Sequence, residues 1–404
     1  MKILLISSTN LFTVDSVPSD LRMSNLARFW VELGADVTYM RFCKKNVQQS
    51  EIQRMSGVKM SLCRVSELKW LIIMFLDRAL ARVLLQNIWQ TVRNFYLWRF
   101  ARCNIKKGSF DCVVTSLPGH GSLLLARKIS KWLKIPLIAD FRDLPDEFDP
   151  ERKTVRMRIE CRSVERALRD ASLVTVVSPI WPEVLAKRFH YQDAKVAMNG
   201  YEGVLPESSC GRDEDGKMTI FYAGVLSYGR DQNFELLFKA LDKLIDKGVD
   251  ISPVVVKVAG LYRQEWFERL SKYKSSFTLK HIGMIPRKDA ITNQQDASIL
   301  LNISSPEAPG VIPSKIFEYV KARRPILNIP SKADVLAQFV LRSRTGECCE
   351  TVEEISDYIE KNLREWQANG YLVEPDADMM YLRRFSRAFQ AKKFYEHIKE
   401  VVGK

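Results

Sequence analysis

Short runs of branched apolar residues alternate with helix-like segments down this chain, and the alternation starts twice. Residues 3–7, 35–39, 111–115, 136–139 and 173–177 read as strands. Helical spacing is predicted over 21–33, 123–133 and 158–171. A loop rich in Gly, Glu, Asp and Ser spans 202–217 and reads as a linker. Strands at 219–223, 254–259, 278–282, 299–303 and 326–329 then alternate with helices at 234–247, 264–272 and 314–322. Strands separated by helices pair in parallel, because a parallel crossover needs a dozen or more residues. The pattern predicts an α/β protein of two doubly wound domains in tandem, and 404 residues suffice for two cores. Residues 379–402 read as one or two basic amphipathic helices.

The run GVIPSKIFEYVKARRPIL, residues 310–327, carries the chemistry. A proline-led turn places Lys315 and Glu318 in the first turns of a helix, and an apolar strand follows at once. The first amides of a helix lack intrahelical partners and its dipole is positive there, so that end attracts phosphate. A carboxylate one turn on can accept hydrogen bonds from a sugar diol. Phosphate and hydroxyl recognition side by side describe a nucleotide-sugar site.

Charge adds a second signal. The net charge of +14 favours an anionic partner. Nine Lys or Arg against two acids fall between Arg64 and Lys107, a net +7 and half the total excess. Arg78, Arg82 and Arg93 recur there at near-helical steps, opposite leucines and among Trp70 and Trp89. Such a helix suits a bilayer interface or, in the plainer reading, covers a sheet with its charges in solvent. These five residues are the candidate membrane or acceptor contacts, within a basic helical segment at 69–107. The eight cysteines form no CxxC pair and the four histidines show no ligand spacing, so no metal is expected. The opening MKILLIS is too short for a signal peptide. No apolar run approaches the roughly 20 residues that span a bilayer. No nucleic-acid motif accompanies the charge.

Six segments then fall in one order: VPSDLRMSNLARFWVELGADVTYM, PLIADFRDLPDEF, VERALRDASLVTVVSP, MNGYE, FYAGVLSYGRDQNFELLFKAL and PSKIFEYVKARRPIL. Together the chain resembles family 4 of the GT-B glycosyltransferases, over nearly its whole length. The resemblance implies two Rossmann-like domains facing a cleft: an acceptor-binding domain at 1–200 and a nucleotide-sugar-binding domain at 201–380. It implies a C-terminal helix, 381–404, returning to the first domain. It implies a retaining, metal-independent transfer from a nucleotide-diphosphate sugar, with no other cofactor. The acceptor would be a glycan, lipid-linked because the basic aromatic helix lies in the domain that handles acceptors, in capsule, exopolysaccharide or lipopolysaccharide assembly. The setting would be the cytoplasmic face of the plasma membrane, as a peripheral protein.

By the same resemblance, Gly224 lets the backbone approach the diphosphate and Arg230 stands where a lysine usually grips it. Val225 replaces a second basic residue. Glu318 would hold the ribose hydroxyls. Lys315 is either a diphosphate or sugar contact or a solvated lysine. The family's second glutamate would fall at Gly310. Either Glu307 substitutes for it, or the amides of Gly310, Val311 and Ile312 bind the sugar instead. In the first domain Asp143 is a hydroxyl contact or a cap, and His120 a cleft or a turn residue. Asp143, His120, Arg230 and Lys315 are the catalytic candidates. The rival readings are a GT-B epimerase or hydrolase, and a non-catalytic scaffold.

Overall fold

The computed structural model describes residues 1–6, 18–45, 57–83, 91–117, 120–144, 155–208, 216–224, 230–260, 277–304, 310–331 and 333–403. The chain divides into two units. One comprises residues 1–199 with 387–404, and the other residues 200–386.

The first unit is built on a seven-stranded sheet ordered β3-β2-β1-β4-β5-β6-β7. Its strands are β1 (Lys2–Ile6), β2 (Asp36–Lys44), β3 (Lys59–Val65), β4 (Cys112–Leu117), β5 (Leu137–Phe141), β6 (Leu173–Val176) and β7 (Lys195–Val196). Every pairing is parallel, with Ile3 opposite Val37 on one side and Cys112 on the other. The residues of β4 and β5 are buried throughout, as expected of strands covered on both faces. Helix α1 (Pro18–Glu32) lays Met23, Leu26, Ala27 and Trp30 on the sheet. The last helix of the chain, α13 (Arg387–Val402), lies against α1 and adds Ala391, Phe394, Tyr395 and Ile398 to the same core. Trp30 donates its indole N–H to the Ala391 carbonyl at 3.1 Å and meets Phe394 edge-on.

The basic segment is a pair of helices, α2 (Glu67–Val83) and α3 (Thr91–Asn104), where periodicity had suggested one run from Trp70 to Phe100. The remaining helices of this unit are α4 (His120–Leu133), α5 (Val155–Asp170) and α6 (Trp181–Phe189).

The second unit holds a six-stranded sheet ordered β10-β9-β8-β11-β12-β13, again parallel throughout. Its strands are β8 (Met218–Ala223), β9 (Val254–Ala259), β10 (Thr278–His281), β11 (Ile299–Ile303), β12 (Ile326–Ile329) and β13 (Gly346–Cys348). Helices α7 (Arg230–Asp246) and α11 (Val352–Asn369) close one core, with Phe234, Phe238 and Leu241 meeting Ile355, Ile359 and Leu363. Thr351 and Glu354 form a reciprocal capping box on α11, and Gly370 ends it in the left-handed region. Helices α8 (Arg287–Asp296), α9 (Ser314–Ala322), α10 (Val335–Arg342) and α12 (Met379–Arg383) complete the unit. The helix expected at 264–272 lies outside the described residues.

In each sheet the strand order reverses beside the first strand, between β1 and β4 and between β8 and β11. Open parallel sheets bind ligands outside the carboxyl ends of their strands at such reversals. Among the described residues, no helix is long and apolar enough to cross a membrane.

Candidate functional site

The carboxyl edge of the second sheet gathers the motif residues of that unit. β8 ends in Ala223 and Gly224, and β9 in Ala259 and Gly260. Gly224 has φ 152° and Gly260 φ 133°, and the Gly224 amide donates to the Ala259 carbonyl at 2.9 Å. A Cβ on Gly260 would lie 1.9 Å from the Gly224 oxygen. Two glycines are thus needed for these backbones to pass where the strands end.

Helix α9 begins after Gly310, Val311, Ile312 and Pro313. Gly310 is in the left-handed region at φ 80°, Ile312 is buried and Val311 half-buried. Pro313 is the N-cap and, among the described residues, no side-chain cap is present. That end keeps the positive character of unsatisfied amides. Tyr319 pins the helix to the sheet: its hydroxyl accepts from the Ala223 amide and donates to the Leu301 carbonyl, both at 3.3 Å. Burial pushes its phenol far above the ordinary range.

Two charged groups stand at this end. The Lys315 ammonium lies 3.9 Å from the centre of the Tyr222 ring and 5.9 Å from that of Tyr319. Aromatic faces hold it electrostatically while leaving its positive charge in place. Glu318, one turn on, accepts from Arg287 Nε at 3.0 Å and Nη2 at 2.8 Å, both on Oε1. Arg287 opens α8, so the pair joins two helix starts. Sequence reasoning did not single out Arg287. It also missed the polar layer beneath the site. Asn302 on β11 donates to Asn328 Oδ1 on β12 at 2.7 Å, and Ser304 donates to the same oxygen at 3.0 Å. Asparagines inside the apolar runs ILLNI and ILNI were the available signal.

Arg230 is the first residue of α7, but its side chain lies outside the described residues, as do Val225 and Glu307. The structure therefore brings together Gly224, Lys315 and Glu318 through Tyr222, Ala223 and Tyr319.

In the first unit the carboxyl edge is organised by an enclosed ion pair. Asp140 is fully buried within β5 and accepts from Arg22 Nε at 3.0 Å and Nη2 at 2.9 Å. Ser116 and Thr175 each donate to it at 2.8 Å. Burial alone pushes this carboxyl upward. The Arg22 charge and the four hydrogen bonds outweigh burial and hold it below its ordinary value. Arg22 also donates to the carbonyls of Ala197 and Met198 and to Asn199 Oδ1. The pair thereby fixes the turn at which the chain leaves this unit. Asp143 follows on the loop, half-buried, with Arg142 Nη2 at 3.5 Å. Burial raises its pKa, and Arg142 opposes the rise. His120 begins α4, its side chain outside the described residues.

The five basic-segment residues do not share one face. Trp70 stacks on Phe42 with ring centres 5.2 Å apart. Arg93 donates to the buried Asp77 at 2.8 Å, and the Val92 amide donates to it at 2.7 Å. Burial raises the Asp77 pKa against these bonds. Trp70 and Arg93 therefore point into the unit, while Arg78 is exposed. The Arg82 side chain and Trp89 lie outside the described residues.

No family model matches the chain, and no curated protein matches its sequence. Solved structures match along its full length. One is HepE of Anabaena, determined in complex with UDP and glucose: 15% identity, 99% of this chain and 100% of that one, TM-score 0.64. A second is sucrose-phosphate synthase of Thermosynechococcus elongatus: 13% identity, 98% of each chain, TM-score 0.66. A third is the lipopolysaccharide outer core galactosyltransferase WaaB: 14% identity, 99% of each chain, TM-score 0.61. At such identities the likeness is one of fold. With its two parallel sheets and interleaved helices, the chain has the GT-B fold of these structures.

Proposed function

We propose that this protein is a family 4 glycosyltransferase, moving a sugar from a nucleotide-diphosphate donor to a glycan acceptor with retention of configuration. The observation that carries the reading is the start of α9, where Lys315 held on Tyr222 and Glu318 held by Arg287 flank an open helix N-terminus. Those groups suit a diphosphate and a ribose diol respectively. The structures determined with UDP and with UDP-glucose support a donor of that class.

In the retaining scheme the leaving diphosphate helps take the proton from the acceptor hydroxyl on the same face of the sugar. The protein's task is to stabilise charge on that leaving group, which Lys315, Arg230 and the helix dipole supply without a metal. The amides of Gly310, Val311 and Ile312 face the donor sugar in this reading, with Glu307 as the other candidate. Asp143 and His120 contact acceptor or donor hydroxyls. The acceptor is a lipid-linked glycan of capsule, exopolysaccharide or lipopolysaccharide assembly, reached by peripheral attachment at the cytoplasmic face of the membrane.

A thermal-shift panel of nucleotide sugars and free nucleoside diphosphates, in a chelating buffer, tests the site. A ligand at about 100 times its Kd stabilises by roughly 2.7 kcal/mol. A shift with one base family is expected, and it names the donor base. Flat responses across the panel would remove the donor site.

A further inference from the structure

We propose that the outward face of α2 docks on an anionic lipid bilayer, through an apolar stripe the sequence did not single out and with Arg78 alone of the five expected contacts on its rim. It deepens the membrane part of the function proposed above and is independent of the transfer chemistry.

Leu68, Leu71, Ile72, Phe75 and Leu76 are 69%, 64%, 49%, 70% and 42% exposed. Their spacing of three, one, three and one places all five on a single stripe of the helix. The opposite side already has its partners, since Ile73 and Asp77 are buried and Trp70 stacks on Phe42. A helix apolar on both sides has one face for its own core and one for something else. Phe95, 56% exposed on α3, adds to the apolar surface of this helix pair. Large contiguous apolar faces mark contact with a partner or a membrane.

Charge chooses between these. Lys69 and Arg78 are exposed and flank the stripe on its two sides, and the Arg99 guanidinium lies 5.9 Å from the Phe95 ring centre. The exposed acid of α2, Glu67, lies 3.9 Å from Lys44. A second copy docking through the same face by two-fold symmetry would set this basic rim against itself. An anionic headgroup layer supplies the opposite sign, and acyl chains take the leucines and phenylalanine. An apolar stripe between basic flanks is how helices lie in a bilayer interface. Arg93 has no part in this surface, because it is turned to Asp77.

The test is co-sedimentation of the full chain with phosphatidylcholine vesicles and with vesicles of phosphatidylcholine and phosphatidylglycerol in equal parts. Binding to the mixed vesicles is expected. The double variant Leu71→Asp/Phe75→Asp should weaken it at least about tenfold. A gentler pair, Lys69→Gln/Arg78→Gln, should weaken it several-fold. Both variants should keep the wild-type melting temperature and nucleotide-sugar shift. Equal binding by wild type and the aspartate variant would overturn this face while leaving membrane attachment standing. A dimer that the aspartate variant dissociates, without vesicle binding, would assign the face to a second copy. Neither vesicle binding nor dimer formation would overturn both the face and the membrane attachment, and leave the donor site untouched.

Discussion

Arg287 closes two hydrogen bonds on a single oxygen of Glu318, from Nε and from Nη2. Because both bonds fall on Oε1, the pair itself makes no use of Oε2. In the proposed site that arrangement readies Glu318 for the ribose hydroxyls. Glu318→Ala should cost about 1.5–3 kcal/mol of binding, the range for hydrogen bonds to a charged group, or roughly ten- to a hundredfold in Kd. Arg287→Ala should weaken binding less. Neither should move the melting temperature much, since exposed pairs contribute about 0–1 kcal/mol. Calorimetric titration with the donor checks this. A large loss of stability with normal binding would make Glu318 a structural residue.

Lys315 rests on the Tyr222 ring. Its charge is placed for a group that becomes more negative as the donor bond breaks. Lys315→Ala should slow turnover by about a hundredfold, the lower end for losing an electrostatic stabiliser of a transition state. The effect should fall on kcat more than on KM, because the benefit grows as the leaving group develops charge. Unaltered kinetics would reduce Lys315 to a packing lysine.

The Arg22–Asp140 pair lies in the interior. Removing one partner strands the other, so Arg22→Met should destabilise the protein by about 3–5 kcal/mol in urea melts. The double variant Arg22→Met/Asp140→Leu should recover part of that loss. The pH dependence follows from the lowered carboxyl. Asp140's contribution is complete above its ordinary value of 3.8, and is lost as pH falls through the depressed folded value. The single variant should show less of this acid dependence than the wild type.

Gly260 meets Gly224 backbone to backbone, at a φ that other residues rarely adopt. Gly260→Ala should cost more than about 2 kcal/mol by forcing the two strand ends apart. Donor binding should fall with it, since Gly224 is the phosphate-loop glycine of the proposed site. Gly248→Ala is a control: it shares the positive φ but faces open space, and should cost about 1 kcal/mol.

Much of the fold was legible. Runs such as VVVKVA announce strands buried on both faces, and the helices expected over 314–322 and 234–247 appear as Ser314–Ala322 and Arg230–Asp246. What escaped has physical reasons. β3, KMSLCRV, sits at a sheet edge with several residues open to water, so its pattern mixes polar and apolar positions. The sequence between α2 and α3 carries neither glycine nor proline, so its helical periodicity gives no reason to divide the run. Lys315 and Glu318 were visible because one helix turn separates them. Arg287 was not, since 31 residues part it from Glu318 and the helix it opens, Arg287–Asp296, was not among those expected. The pairing of Asp140 with Arg22 has no local signature, because 118 residues separate the two.

The return of α13 gives the molecule an unusual order of assembly on the ribosome. The sheet of the first unit is translated early, yet its cover arrives after residues 200–386 have been made. At 5–20 residues per second that interval is roughly ten to forty seconds. For that time Trp30 lacks the Phe394 ring and the Ala391 carbonyl, and the apolar groove of α1 lies open to chaperones or to other nascent chains. Permuting the gene so that residues 387–403 precede Met1 would make the first unit contiguous and close that window at its source.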